Sequence, residues 1–527
     1  MGVWSSKDEA QIRARGMTVE QVEDQIARFV RGFPPLTLDR PCIVGDGIRT
    51  LAESEIPLLE ARFREAQLAG RISKFVPASG AASRMFHFLS VALHRDWDLD
   101  DGGLAARAED EARSLQEFFA RWRELPFAES LRTSTLALLD ESDRAEDESA
   151  PFRKAMLHAL LTEEGLGYAD LPKGLIPFHR YGGQVRTAFE EHLLQALAYV
   201  QSADGTVRIH FTVPEPYRNR IDDHLSTRAA STNAKFEISL SVQDPASDTI
   251  AVDESNAPAR DARGELMFRP GGHGALLRNL EEFGGDLVFV RNIDNIHAER
   301  PMQGHFHHER MGGMLLAVQE TMDHFLVRLE DPAQREQAIP EAASFLERVL
   351  CRRPAPSMRH ALAHSRPSAP DSDARTAAWL IDELARPLRV CGMVRNEGEP
   401  GGGPFWVRHS DGSSSIQIVE KSQIRLEDET QKQILEASTH FNPVDLICSL
   451  RDRHGNLYSL DDFRDPDSGI ITEKTAAGRT LRALEWPGLW NGAMARWNTV
   501  FVEIPLECFN PVKTVLDLLR PAHRAAE

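Results

Sequence analysis

Four short segments carry residues suited to holding phosphate. The first is Phe75-Val76-Pro77-Ala78-Ser79-Gly80-Ala81-Ala82-Ser83-Arg84-Met85. Small side chains at Ser79, Gly80 and Ala81 let a backbone approach a phosphate closely, and a helix behind them would add free N–H groups and a positive dipole end. Arg84 adds a permanent cation whose fork matches phosphate oxygens. The second is Pro172-Lys173-Gly174-Leu175-Ile176, where a lysine between proline and glycine can set an ammonium beside a phosphate. The third, Phe268-Arg269-Pro270-Gly271-Gly272-His273-Gly274, is rich in glycine and admits a base or sugar closely. The fourth is Leu287-Val288-Phe289-Val290-Arg291-Asn292-Ile293-Asp294-Asn295. Asp294 falls just past an apolar strand, where open α/β sheets place their ligands. A carboxylate there suits Mg²⁺, which takes oxygen donors and bridges to substrate phosphates. Each segment also has a plainer reading: a tight turn with Arg84 in a surface ion pair, a solvated lysine, a linker, and an aspartate capping a turn.

The elements that must position these residues alternate between strand and helix. Phe75-Val76 reads as a strand, and Met85, Phe88, Leu89 and Ala92 recur on one face of a helix. Strands are predicted at Val207–Val213, Phe236–Val242 and Leu287–Val290, with helices at Val185–Val200 and Gly274–Phe283 between several of them. This alternation predicts an α/β fold with a Rossmann-like, mostly parallel mixed sheet flanked by helices. Residues 1–70 read as a helical N-terminal segment, with Leu58, Leu59, Phe63 and Ala66 at helical spacing. The core is expected over 71–350, with a charged helical insertion at about 99–165 marked by Leu115, Phe118, Phe119 and Trp122. Residues 351–375, rich in proline and serine, read as a linker. A C-terminal part, 376–527, follows, with strands at Ile416–Val419 and Thr499–Ile504 and a glycine-rich, mobile loop at 396–403.

The bulk composition narrows the partners. Hydrophobic residues make up 42% and charged residues 27% of 527, an ordinary globular balance. A net charge of −19 repels phosphate backbones and argues against nucleic acid as a partner. No stretch approaches the length of a membrane span, and no apolar signal region precedes Arg15. The five cysteines are scattered and form no CxxC pair, which points to free thiols in a reducing compartment; a soluble cytoplasmic protein is expected. His297, His305, His307 and His308 cluster near Asp294, but their spacing fits no standard zinc site, and a polar loop running into a helix at Met311–Leu326 is the simpler reading. Trp486, Trp490 and Trp497 can pack in a core or stack on a base or sugar.

Taken together, the segments resemble the UDP-sugar pyrophosphorylase group of nucleotidyltransferases. Pro77–Met85 is similar to the proline–alanine–alanine–glycine…arginine–methionine loop of these enzymes, and Pro172-Lys173 to their second signature. Pro270-Gly271-Gly272-His273-Gly274 resembles the proline–aspartate–glycine–asparagine–glycine segment of the UDP-N-acetylhexosamine enzymes. Ile293-Asp294-Asn295 resembles their valine–aspartate–asparagine metal motif. Val419-Glu420-Lys421-Ser422-Gln423-Ile424 resembles their sugar contact, and Phe509-Asn510-Pro511-Val512-Lys513 the phenylalanine–x–proline–valine–lysine segment of UDP-glucose pyrophosphorylases. The matches stand in family order from about residue 75 to 519. The whole chain also resembles a domain-of-unknown-function family known mainly from Bacteroidota.

The resemblance implies an enzyme that joins a nucleoside triphosphate to a sugar 1-phosphate and releases pyrophosphate, with Mg²⁺ as cofactor. Arg84 would hold the triphosphate, and Lys173 and Lys513 would neutralise the α-phosphate and the sugar phosphate. Ser79, Gly80, Ala81, Gly271, Gly272 and His273 would line the nucleotide, and Gln243 would read its base. The amide of Gln243 both donates and accepts, which favours a pyrimidine, UTP ahead of CTP. Glu420 and Asn442 would meet the sugar hydroxyls, and Asp294 would hold the metal. The departures are a loop with one glycine, Gly80, where three are usual, His273 in place of asparagine, Lys421 and Gln423 in the sugar motif, and the long insertion. They leave open a cytidylyltransferase acting on a polyol or amino-alcohol phosphate, a non-catalytic nucleotide-sugar-binding protein, and a glycosyltransferase. Neither the sugar nor the oligomeric state is written in the sequence.

Overall fold

The computed structural model describes residues 4–105, 107, 110–140, 149–298, 306–363, 370–398, 401–476 and 479–524. Seven strands make the body of its central sheet: β1 (Ile72–Pro77), β2 (Thr206–Thr212), β3 (Lys235–Ser241), β4 (Leu287–Arg291), β5 (Leu388–Arg395), β6 (Asp445–Ser449) and β7 (Asn498–Glu503). They lie in the order β3-β2-β1-β4-β6-β5-β7, and the short strands Gly47–Arg49 and Ile43–Val44 continue beyond β7. Among the seven, every pairing is parallel except the two that β6 makes with β4 and β5.

Such a sheet must be buried on both faces. Successive side chains of a strand point to opposite faces, and here they feed two separate cores. Phe75, Val288, Val290, Leu446, Cys448 and Phe501 enter one; Ile72, Val76, Leu287, Phe289, Ile447, Val500 and Val502 enter the other. The helix Leu276–Phe283 covers the first face. The helices Ile56–Leu68, Ala188–Tyr199 and Phe306–Glu330 cover the second. Gly312 and Gly313 make that covering possible, since a Cβ at Gly313 would stand 2.0 Å from the Leu59 carbonyl oxygen. The insertion supplies the helices Asp101–Ala105, Asp110–Arg121, Ala128–Ala137 and Ala150–Leu161, which extend the second core through Leu115, Phe118, Phe119 and Trp122. Among the described residues no helix is long and apolar enough to cross a membrane.

Three sequence expectations need correction. Residues 1–70 are only partly helical: Ser6–Ala14, Val19–Arg31 and Ile56–Leu68 are helices, but Thr37–Pro41 pairs with Gly403–Arg408 and Gly47–Arg49 pairs with β7. The partners that make these strands lie far away in the chain, so no local pattern shows them. The stretch read as a linker holds the strand Arg352–Arg353 and the helices Pro356–Ala363 and Pro370–Leu384, with 364–369 outside the described residues. Pro356 and Pro370 open their helices, where a missing N–H breaks no hydrogen bond. The C-terminal part contributes β5, β6 and β7 to the same sheet as β1 and continues the core.

Candidate active site

The strand order reverses between β1 and β4, since β1 leads to β2 and β3 on one side while β4 lies on the other. Ligands of open α/β sheets sit outside the carboxyl ends of the strands at this switch point. The loop after β1 and the turn after β4 meet there.

The β1 loop is tied down at both ends and open in the middle. The Ala78 N–H donates to the Thr212 carbonyl (3.0 Å). The Ala82 N–H donates to Leu171 O (3.0 Å) and the Lys173 N–H to Gly80 O (3.2 Å), a short bridge that fixes Lys173 beside the loop. Between these anchors the N–H groups of Ser79, Gly80 and Ala81 bond to no described residue. Nothing lies within 4 Å of where a Gly80 Cβ would stand. The helix expected directly behind this loop begins only at His87, after one tight turn at Ala82–Arg84. The Ala82 methyl is buried in the core, and only Ala81 adds bulk to the open side. Arg84 is exposed and makes no ion pair or hydrogen bond among the described residues.

The β4 turn is heavily pinned. The Ile293 N–H donates to Pro77 O (3.3 Å), and the Val512 N–H donates to Asp294 O (3.1 Å). Asn295 Oδ1 accepts from the Asn510 N–H (3.0 Å), and its Nδ2 donates to Pro443 O (3.3 Å). These bonds draw the segments around residues 443 and 511 against the turn. They bring Asp294, Asn442 and Lys513 to one cavity of about 690 Å³, which Asn292, Glu420, Trp490 and Phe509 also wall. Lys173 Nζ donates to Asp294 Oδ2 at 2.7 Å. Gly174 is dictated by packing, because a Cβ there would meet the Phe189 ring at 2.4 Å.

Two polar groups of this region await a partner. Asn442 is 5% exposed; its Oδ1 accepts from the Val444 N–H, while its Nδ2 is buried and unbonded. Val444 has φ 57, a left-handed conformation rare for a β-branched residue and typical of functional sites. Gln243 follows β3 on the same edge, and its Nε2 is likewise buried without a partner. With strands about 4.8 Å apart, β3 stands roughly 14 Å from β4 along the edge.

The glycine-rich segment does something other than expected. A Cβ at Gly271 would lie 2.3 Å from the Trp486 ring, and one at Gly274 would lie 2.1 Å from Pro487 O, so both glycines serve packing against 486–487. Gly272 has φ 75, which favours glycine, and a Cβ there would stand 3.1 Å from Glu485 Oε2. His273 stacks on Trp490, with centroids 4.1 Å apart. Its Nδ1 accepts from the Leu489 N–H (3.0 Å), leaving Nε2 3.8 Å from Glu420 Oε1. Burial lowers the His273 pKa to about 4, so the ring is neutral near pH 7. Glu420 follows the strand Ser414–Val419; burial raises its pKa, and the Asn491 amide donating at 2.6 Å opposes that.

Of the residues singled out in the sequence, Asp294, Glu420, Asn442 and Lys513 wall the cavity, Lys173 reaches it through Asp294, and His273 reaches it through Trp490. Ser79, Gly80, Ala81, Arg84, Gln243, Gly271 and Gly272 are not among its walls. Asn292, Phe441 and Asn491 were not anticipated as site residues; Asn292, beside Asp294 past an apolar strand, was the most legible of them. Trp497 is buried core and Trp486 is packing, while Trp490 is the one tryptophan of the three on the cavity wall.

Fold and site together define a doubly wound α/β protein with a cavity beyond β4, beside the switch point of the sheet. The chain belongs to the family described as "Domain of unknown function (DUF4301)", whose model matches residues 5–524. No curated protein sequence matches it. Solved structures with partial likeness include a uridine diphosphate N-acetylglucosamine pyrophosphorylase from Trypanosoma brucei (13% identity, TM-score 0.46, covering 98% of this chain and 79% of that one). A UDP-glucose pyrophosphorylase from Leishmania major gives 12% identity and a TM-score of 0.42, covering 100% and 80%. A putative UDP-N-acetylglucosamine pyrophosphorylase from Entamoeba histolytica gives 13% and 0.42, covering 88% and 82%. Likeness at this level bears on neither substrate nor activity.

Proposed function

We propose that the protein is a nucleotidyltransferase that joins a nucleoside triphosphate, UTP ahead of CTP, to a sugar 1-phosphate. The observation that carries this reading is the convergence of Asp294, Glu420, Asn442 and Lys513, from distant segments, on one cavity beside the open β1 loop, with Lys173 bonded to Asp294. The cavity offers both halves of a sugar phosphate a partner: an ammonium for the phosphate, and a carboxylate and a free amide N–H for hydroxyls.

The chemistry is a single in-line displacement. A sugar-phosphate oxygen attacks the α-phosphorus; the new P–O bond forms as the bond to pyrophosphate breaks, and pyrophosphate leaves with the electron pair. No protein nucleophile is needed, and catalysis is positioning plus charge neutralisation. The N–H groups of Ser79, Gly80 and Ala81 can hold phosphate oxygens, and Lys513 the sugar phosphate. Lys173 can swing from Asp294 to the α-phosphate. Arg84, exposed beside the loop, can close on the triphosphate tail. Gln243 reads the base, and Gly272 and His273 flank the nucleotide. A single carboxylate with the Asn292 amide nearby fits a divalent ion that arrives with the triphosphate and draws most of its ligands from phosphate and water. Asp294 would hold it, and Mg²⁺ would supply charge neutralisation at the phosphates.

A second reading, a non-catalytic nucleotide-sugar-binding protein, is favoured by one observation: Lys173 already neutralises Asp294. A pyrophosphate-release screen of four nucleoside triphosphates against phosphorylated sugars and polyols, with Mg²⁺, separates the two. Release with one triphosphate and one sugar 1-phosphate is expected. Release with CTP and a polyol phosphate would move the assignment to a cytidylyltransferase, and nucleotide binding without turnover across the panel would overturn the enzyme reading.

A further inference from the structure

The proposed reaction leaves one cluster unused. Cys508, His307 and Asp445 stand in a row where the start of the helix Phe306–Glu330 meets the sheet. Cys508 Sγ lies 3.3 Å from His307 Nδ1, and His307 Nε2 lies 3.0 Å from Asp445 Oδ2. His308 Nε2 is 3.2 Å from Asp445 Oδ1, and Arg291 Nη1 is 3.7 Å from Oδ2. Arg291 Nη2 also donates to the Cys508 carbonyl at 2.9 Å. His305, the fourth histidine of the sequence cluster, lies outside the described residues. His307, His308 and Asp445 stand close enough to hold a metal ion together, but the buried guanidinium of Arg291 already supplies the positive charge that Asp445 needs.

The row has the order of an activated nucleophile: a thiol, an imidazole to take its proton, and a carboxylate to orient the imidazole. Burial pushes the Asp445 carboxyl up, but His308, Arg291 and His307 outweigh it and hold the group well below the usual carboxylate range. Burial alone would lower the His307 pKa; its bonds to Asp445 and Cys508 raise it to about 9. The other cysteines have no such neighbours. Burial pushes the thiols of Cys42, Cys391 and Cys448 up, and pushes half-buried Cys351 up to about 11. Cys508 itself is 7% exposed. A separate cavity of about 560 Å³ reaches the row, walled by His307 and by Pro505, Leu506 and Glu507, the residues that lead into Cys508.

We propose that Cys508 is a modification site for hydroperoxides, activated by His307 and Asp445. The thiol proton already rests on His307, in a thiolate–imidazolium pair that Asp445 holds; the sulfur attacks the peroxide, and the S–O bond forms as the O–O bond breaks. The departing oxygen takes the proton from His307 and leaves as water, or as an alcohol from an alkyl hydroperoxide. The thiol is oxidised to a sulfenic acid and the hydroperoxide is reduced.

The test uses the full, reduced, folded chain with hydrogen peroxide below one equivalent at pH 7 and dimedone as the trap, followed by peptide mass mapping. Cys508 should be trapped at least about tenfold faster than Cys351, although Cys351 is the more exposed of the two. His307→Gln should slow trapping at Cys508 by about tenfold and leave Cys351 unchanged. Trapping first at Cys351, equal rates at all five cysteines, or an unchanged Cys508 rate in a folded His307→Gln protein would each overturn the proposal. Because His307 is buried, the variant can fail to fold; the ranking of Cys508 and Cys351 within the natural protein then decides alone.

Discussion

The two ends of the candidate site are built on different principles. The end beyond β4 is held by the protein's own bonds: the Asn510 and Val512 N–H groups donate to the Asp294 turn, Asn295 donates to the Pro443 carbonyl, and the cavity walls come from segments far apart in the chain. The end beyond β1 to β3 is an open edge, with unbonded N–H groups at Ser79 to Ala81, an exposed Arg84 and an unpartnered Gln243 amide. Under the proposed function, the contrast would give specificity for the acceptor to a rigid pocket and leave the triphosphate to complete its own half of the site. Preorganisation of one half lowers the cost of ordering the other.

The strongest way to break this comparison is Asp294→Asn, which keeps shape and removes charge. Turnover is expected to fall at least ~100-fold, about 2.7 kcal/mol of transition-state stabilisation, with the melting temperature nearly unchanged. Measuring both on one preparation separates this from a capping role, and a near-normal kcat would remove Asp294 from the site. Next come two glycines. Gly274→Ala forces a methyl onto Pro487 O and should cost about 1–3 kcal/mol of stability in denaturant unfolding. Gly80→Ala meets open space and should change stability by less than about 0.5 kcal/mol. Its effect should appear only in triphosphate affinity, and a large loss of stability would show that the β1 loop is packed after all.

Gln243→Leu should weaken the preferred triphosphate by about fivefold, one hydrogen bond of ~1 kcal/mol, and leave the KM for the sugar phosphate unchanged. An equal change in both KM values would join the two ends into one unit. The smallest effect is expected with pH. His273 titrates near 4 when folded and near 6.5 when free, so the unfolded chain binds a proton in that window that the folded chain does not. Stability from this group is therefore complete above about pH 6.5 and declines as pH falls towards 4. His273→Gln should flatten the melting temperature against pH over that range relative to the natural protein; parallel curves would show that the ring is not buried neutral.

The sequence made β2, β3 and β4 legible and hid β5, β6 and the strands before residue 50, for physical reasons. β2 and β4 are largely apolar and β3 alternates polar and apolar residues, and the expected and observed limits of all three agree within one residue. β5 and β6 went unread. β5 carries Arg389 near its start, fully buried with Nε donating to Thr499 Oγ1 and Nη1 to the Trp490 carbonyl, and β6 opens on buried Asp445. A charged residue looks exposed in a sequence, and only its partners show otherwise. The same limit applies at the site. Asp294 was visible because it ends a strand, whereas the roles of Glu420 and Lys513 came from resemblance, since nothing local shows that residues 420 and 513 reach one cavity.

The antiparallel strand in the middle of the sheet sets a schedule for synthesis. β4 is apolar on both faces, and one of its neighbours, β6, emerges about 160 residues later, roughly 10–30 s at ribosomal rates of about 5–20 residues per second. Over that interval the nascent chain carries a bare edge strand of the kind that pairs with other chains. A release from the ribosome before residue 445 would leave that edge exposed for good, and with it a turn after β4 that lacks the bonds from Asn510 and Val512. Premature termination before β6 should therefore yield aggregates that chaperones must hold.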